Sequence, residues 1–144
     1  YKRQFQQIAS LEVFPVTCEI TYGLERICMF LQNKDDVFSI EYKKGITYRE
    51  LFGKSEEQFS EYNFHSAPVE SLLKNFEENE KMVDILLEKN LYYPAYEYVL
   101  KNSHNFNLLD ARGYVSQQQR PDFIARIRNT ARKVALNFLQ NENN

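Results

Sequence analysis

The sequence predicts an α+β protein that is mostly α, with a short strand-bearing opening and an all-helical remainder. Three observations carry that expectation. Apolar residues recur at i, i+3 and i+4 spacings through most of residues 55–144. Only 4 Gly and 4 Pro occur, too few for the many tight turns of a sandwich or barrel. Runs rich in β-branched and aromatic residues are confined to the beginning. Hydrophobic residues make up 43% of the 144 and charged ones 26%, a balance that buries a core and argues against disorder.

Taken in order, QFQQI alternates like a half-buried strand, with Phe5 and Gln7 on one side and Gln6 and Ile8 on the other. It has no Met before it and no preceding partner, so it is expected to be cut from a longer polypeptide, unless it pairs with Val16–Tyr22. Pro15 is expected to break the chain before a strand, VTCEITY, that Gly23 ends. LERICMFLQ follows as a helix with Leu24, Ile27, Cys28 and Leu31 on one face. Residues 33–54 read as a connector. Ser55, followed by Glu56, Glu57 and Gln58, reads as a capping box that opens the helical part. The next helix is expected from Pro68 to Lys89, with Val69, Leu72, Leu73, Phe76, Val83, Leu86 and Leu87 as its apolar stripe. Pro94 opens a third through Lys101, and Phe106–Arg112 makes a short fourth stopped at Gly113. Ser116 caps the last helix, whose inward side is Phe123, Ile127, Ala131, Val134 and Phe138. The expected domains are therefore 1–54 and 55–144.

The formal charge of −2 argues against a domain devoted to nucleic acid but leaves room for one basic face. Residues 55–90 carry a net −6 and residues 112–133 a net +5. Either these surfaces pair with each other, or Arg126 and Lys133 meet a phosphate backbone or an acidic protein. Arg128 and Arg132 flank the stripe, where their stems can snorkel. Cys18 and Cys28 stand without a CxxC pattern and are expected to be reduced thiols in a cytoplasmic protein. No apolar run approaches the ~20 residues that span a bilayer, so no membrane partner is expected. Neither His65 nor His104 has metal-ligand spacing to a Cys or to the other, and no metal-ligand set is expected in the chain. The nucleotide-loop, nucleophile-elbow and zinc-helix motifs are all missing.

One segment stands out, CEITYGLER from Cys18 to Arg26. On a strand Glu19, Thr21 and Gly23 project to one face, with Ile20 and Tyr22 on the other. Arg26 follows one helical turn beyond and can reach over that face. A carboxylate, a hydroxyl, a bare backbone position and a guanidinium suit a small zwitterion together with a phosphate. The plainer alternative is an edge strand whose Glu19 and Arg26 form a salt bridge.

EITYGLERICMFLQ resembles motif 3 of class II aminoacyl-tRNA synthetases, a strand followed by a helix that carries the motif's arginine. More closely, the chain is similar to the α subunit of the bacterial heterotetrameric glycyl-tRNA synthetase. The likeness continues through ITYRELF, the YNF at Tyr62–Phe64, FEENEK, PAYEYVLK, HNFNLLDAR and RPDFIARIRNTARKVA. The resemblance implies a C-terminal remnant of the class II antiparallel-sheet catalytic domain, followed by the family's helical domain. It implies the activation of glycine by ATP, with Mg²⁺, and transfer of glycine to its tRNA. By motif, Arg26 would be the catalytic, ATP-binding arginine and Gly23 would make room for the nucleotide. Glu19 and Thr21 would lie on the glycine side. The implied partners are a β subunit, a second α subunit in an α2β2 heterotetramer, and tRNA-Gly. The family's motifs 1 and 2 and its Mg²⁺ ligands precede motif 3 and are not in these residues, so the chain alone is expected to be insufficient for catalysis. A divergent non-catalytic paralogue, acting as a protein- or RNA-interaction module, is the alternative. The family usually has a Gly pair where Ala9-Ser10 stand, and commonly a Gly at Cys18. Side chains at those points are expected to narrow the pocket.

Overall fold

The computed structural model describes residues 2–142, with side chains from residue 6 onward. The expected facing of Phe5 lies outside the described side chains. The architecture is α+β and mostly α. Two antiparallel strands, β1 (Lys2–Ile8) and β2 (Leu11–Ile20), form a hairpin with Lys2 opposite Ile20 and Ile8 opposite Leu11. The first strand therefore finds its partner within the chain. Pro15 does not break the chain as expected; it lies inside β2. The register shifts between Phe5 and Gln7, and opposite that shift β2 runs unpaired through Pro15. A bulge is where a strand tolerates a residue without an N–H.

Helix α1 (Leu24–Leu31) forms as the periodicity predicts, yet none of its residues is buried. Its apolar face, with Leu24 and Leu31, is open to solvent, as are Phe14 at 96% and Phe30 at 85% exposure. Residues 33–54 hold more order than a connector. A second small hairpin, β3 (Glu41–Lys43) and β4 (Ile46–Thr47), turns at Gly45, whose φ of +79° suits glycine. Gln32 clamps it by exchanging two side-chain hydrogen bonds with the Glu41 backbone, at 2.8 and 2.9 Å.

A helical stretch then begins at Arg49, six residues before Ser55. It widens to π geometry over Arg49–Gly53, continues as α2 (Lys54–Glu61), and widens again over Tyr62–Ser66. Its cap is Thr47 with Glu50. The Glu50 carboxylate accepts the Thr47 N–H at 2.6 Å, and the Thr47 hydroxyl faces the Glu50 N–H at 3.4 Å. Ser55 lies inside the stretch and caps nothing, a correction to the sequence expectation.

The core belongs to three long helices, α3 (Val69–Glu88), α4 (Tyr92–Ala111) and α5 (Arg120–Glu142). One cluster gathers Ala67, Leu72, Phe76, Phe106, Leu108, Leu109, Val115 and Phe123; a second gathers Val83, Ala95, Val99 and Val134. The expected third and fourth helices are a single helix. The polar run Lys101–Asn105 does not interrupt it, because Asn102 and Asn105 face inward and are buried. Asn102 donates to the Phe76 carbonyl at 2.9 Å and accepts from Asn79 at 2.8 Å. That pairing across α3 and α4 satisfies a polar group that burial would otherwise penalise.

Both ends of this helical pair use the same stop signal. The Leu91 N–H reaches Leu86 O with Asn90 at φ +56°, and the Tyr114 N–H reaches Leu109 O with Gly113 at φ +69°. Ser116 caps α5 as expected, and Gln119 completes a capping box with it, each bonding the other's backbone N–H at 3.2 Å.

Candidate functional site

The strand β2 brings Glu19 to the sheet's open end, opposite Arg3, and stops at Ile20. Thr21, Tyr22 and Gly23 run on without strand pairing, and Gly23 (φ −77°, ψ 112°) precedes the first turn of α1. The Thr21 hydroxyl donates to the Glu19 carboxylate. Those two side chains therefore share a side, as strand alternation predicts.

Beyond Ile20 the alternation loses its sheet, and the chain departs from the expected facing. Thr21, Tyr22, Gly23 and Arg26 together line a shallow depression of about 350 Å³. Tyr22, expected on the opposite face, is part of it. Its only signal in the sequence was its place between Thr21 and Gly23. Glu19 is not in the lining and is connected to it through Thr21.

Arg26 lies in the first turn of α1, which the Ile27 N–H closes onto Gly23 O at 3.2 Å. A methyl group on Gly23 would meet the Arg26 stem at 3.8 Å, ordinary contact. The guanidinium's stem is thus laid beside the bare backbone position. Glu19 and Arg26 are both exposed and do not pair with each other, contrary to the salt-bridge alternative. An acceptor, a hydroxyl and a cation thus stand within one short segment, open to a ligand from one side.

Ala9-Ser10 and Cys18 do not narrow this depression. Ala9 and Ser10 turn the hairpin at its far end, between Ile8 and Leu11, while the depression adjoins Ile20. Cys18 lies one residue from Glu19 on the strand and so faces the other way. Both cysteines are free thiols.

Larger hollows lie elsewhere. One of about 730 Å³ is lined by Phe38, Arg49, Gly53, Lys54, Glu56, Glu57 and Ser60, but its arginine already stacks on Phe38 at 4.6 Å and pairs with Asp36 at 3.6 Å. His65 and His104 are exposed, and no cluster of three metal-ligating side chains occurs among the described residues.

The basic stretch is largely spoken for. Arg126 grips Glu80 with two bonds of 3.0 and 2.5 Å, and Lys133 holds Asp84 at 2.6 Å. The hydrogen bonds that Arg126 donates to Glu80 raise its pKa above its already high ordinary value, outweighing the opposing effect of burial. The acidic and basic surfaces thus pair with each other, α3 against α5. Arg132 donates to the Ala9 carbonyl at 3.1 Å and joins α5 to the hairpin turn.

Among the described residues no helix is long and apolar enough to cross a membrane. Compared with known protein families, the chain matches the one described as the glycyl-tRNA synthetase alpha subunit, over residues 3–143.

Proposed function

The chain belongs to the glycyl-tRNA synthetase alpha subunit family, and from that premise we propose that Glu19–Arg26 contributes the amino-acid and nucleotide contacts of a glycine-tRNA ligase. The reaction joins glycine to AMP: a glycine carboxylate oxygen attacks the α-phosphorus of ATP and pyrophosphate leaves. The terminal hydroxyl of tRNA-Gly then attacks the glycyl carbonyl and AMP leaves. The single observation that supports this reading is the Thr21–Glu19 bond beside the hollow of Thr21, Gly23 and Arg26.

In this reading Glu19 takes the glycine ammonium and Thr21 fixes the carboxylate's direction. Arg26 stacks on the adenine and neutralises phosphate charge that grows as the bond to pyrophosphate breaks. Gly23 admits the nucleotide. Positioning and charge neutralisation suffice here, with no covalent bond to the enzyme. The depression itself does not fit Mg²⁺, since its lining of Thr21, Tyr22, Gly23 and Arg26 offers a cation and no carboxylate, and three-residue ligand sets are missing among the described residues. The metal that accompanies ATP would need ligands from outside this segment.

We assign residues 1–54 to the catalytic domain and residues 55–144 to the helical one. The partners we propose are the β subunit, a second α subunit in an α2β2 assembly, and tRNA-Gly, in the cytoplasm. These 144 residues contain motif 3 without motifs 1 and 2, so as an isolated polypeptide they are expected to show no ATP–pyrophosphate exchange. A purely interaction-module role draws less support, because Arg126 and Lys133 are engaged with Glu80 and Asp84.

The test is kinetic, in the assembled synthetase. Arg26→Ala should raise the KM for ATP at least tenfold, and Glu19→Gln should raise the KM for glycine with little change for ATP. An unchanged ATP dependence in Arg26→Ala would remove the assignment.

A further inference from the structure

The hairpin that carries Glu19 turns through two non-glycine residues in the left-handed region, Ala9 at φ +48° and Ser10 at φ +66°. A two-residue turn between Ile8 and Leu11 with both central residues left-handed has the type I′ form, which favours Asn and Gly. Side chains with a Cβ are strained in that conformation, and such strain persists only where surrounding structure enforces it. The surroundings here come from α5. Arg132 donates from its guanidinium to the Ala9 carbonyl at 3.1 Å, a partly buried bond spanning 123 residues of sequence. Beside it Ile8 rims an apolar hollow of about 210 Å³ lined by Tyr92, Tyr96, Val134 and Phe138. The turn is therefore held at one point by a charged donor, while the neighbouring Ile8, half-exposed, faces an aromatic wall across the hollow.

We propose that Arg132 is a positioning residue of the synthetase. By holding the strained Ala9-Ser10 turn on α5, it sets the attitude of the strand that presents Glu19 and leads into Thr21. The proposal rests on the functional reading above for its kinetic consequence, but not for its structural one. Arg132 touches neither the depression nor Glu19; it acts through the Ala9 carbonyl and the β1–β2 ladder.

Hydrogen exchange on the 144-residue chain tests the structural part. Arg132→Ala should speed exchange of hairpin amides in residues 6–20 by about tenfold, as expected for one charge-assisted bond at a half-buried site. Amides of α3 and α4 should exchange as before. Arg132→Lys, which keeps one donor, should recover much of the protection. In an Ala9→Gly/Ser10→Gly background, where the turn no longer needs enforcing, the effect of Arg132→Ala should fall to roughly threefold or less. Unchanged hairpin exchange in Arg132→Ala, or acceleration spread evenly through α3–α5, would overturn the proposal.

The assembled enzyme supplies the second arm. Arg132→Ala should raise the KM for glycine several-fold while leaving the KM for tRNA unchanged, and Arg132→Lys should restore it. A lower kcat with both KM values unchanged would signal a smaller folded fraction and refute the positioning role. Failure of the functional reading would show separately, as indifference of the wild-type background to Glu19→Gln and Arg26→Ala.

Discussion

Gly23 lies where two different demands on glycine separate. Its φ of −77° is open to any residue, and an added methyl would meet only the Arg26 stem at 3.8 Å. The fold therefore does not require glycine there, and any requirement comes from a ligand. Gly23→Ala should leave the unfolding free energy within ~0.5 kcal/mol of wild type, by urea titration, while raising the KM for ATP in the assembled enzyme. Asn102 is the opposite case, a residue whose role is wholly internal. It is 2% exposed and bonded to both Phe76 O and Asn79. Asn102→Ala should cost ~1–3 kcal/mol by the same titration, since it strands the Asn79 amide. Asn107→Ala, on the exposed side of the same helix, should cost almost nothing. In the sequence alone the run around Asn102 has the look of a break between helices. A polar residue signals solvent unless its partner is known, and the partner here lies 23 positions away on another helix.

At the scale of the element, the helical stretch that starts at Arg49 shows how a cap is chosen. TYRE and SEEQ both have the spacing of a capping box, and only the first acts as one. The β3–β4 hairpin decides this, because it delivers Thr47 in an extended conformation at the point where the helix begins. Thr47→Ala should therefore destabilise the stretch by ~1 kcal/mol, and Ser55→Ala should be silent, both measured by circular dichroism during denaturant unfolding. The Thr47 backbone N–H, and then its hydroxyl, hold the Glu50 carboxyl below its ordinary pKa of 4.5. A depressed carboxyl contributes stability above its unfolded pKa and loses it as pH falls through the folded one. The advantage of wild type over Glu50→Gln should accordingly shrink as pH drops below 4.5 and be gone once Glu50 is protonated in the native state.

Across the whole molecule, stability and chemistry occupy different regions. Both apolar clusters lie between Ala67 and Val134, whereas the proposed site lies between Glu19 and Arg26 on elements with no buried side chain. Phe76→Ala should cost ~3–5 kcal/mol in thermal unfolding, and Phe30→Ala less than ~0.5 kcal/mol, although both remove one phenyl ring. The periodicity of residues 69–138 was legible because helices that pack on one another must repeat their apolar residues near every 3.6 positions. The same periodicity identifies α1 but not its surroundings, since Leu24, Ile27 and Leu31 have the spacing of a core face and lie in the open. Residue order by itself determined the mostly helical α+β class, the stripes of α3 and α5, the Ser116 cap, and the grouping of Glu19 with Thr21. Those features depend on neighbours within a turn or along one strand, which the chain specifies locally. Only the tertiary structure decided that β1 pairs with β2, that α4 is unbroken, that Arg126 and Lys133 are spent on α3, and that Arg132 holds the hairpin turn. The hairpin is local, and its register is set by the turn and the bulge; the others join groups remote in sequence, and which distant donor meets which acceptor is settled by packing.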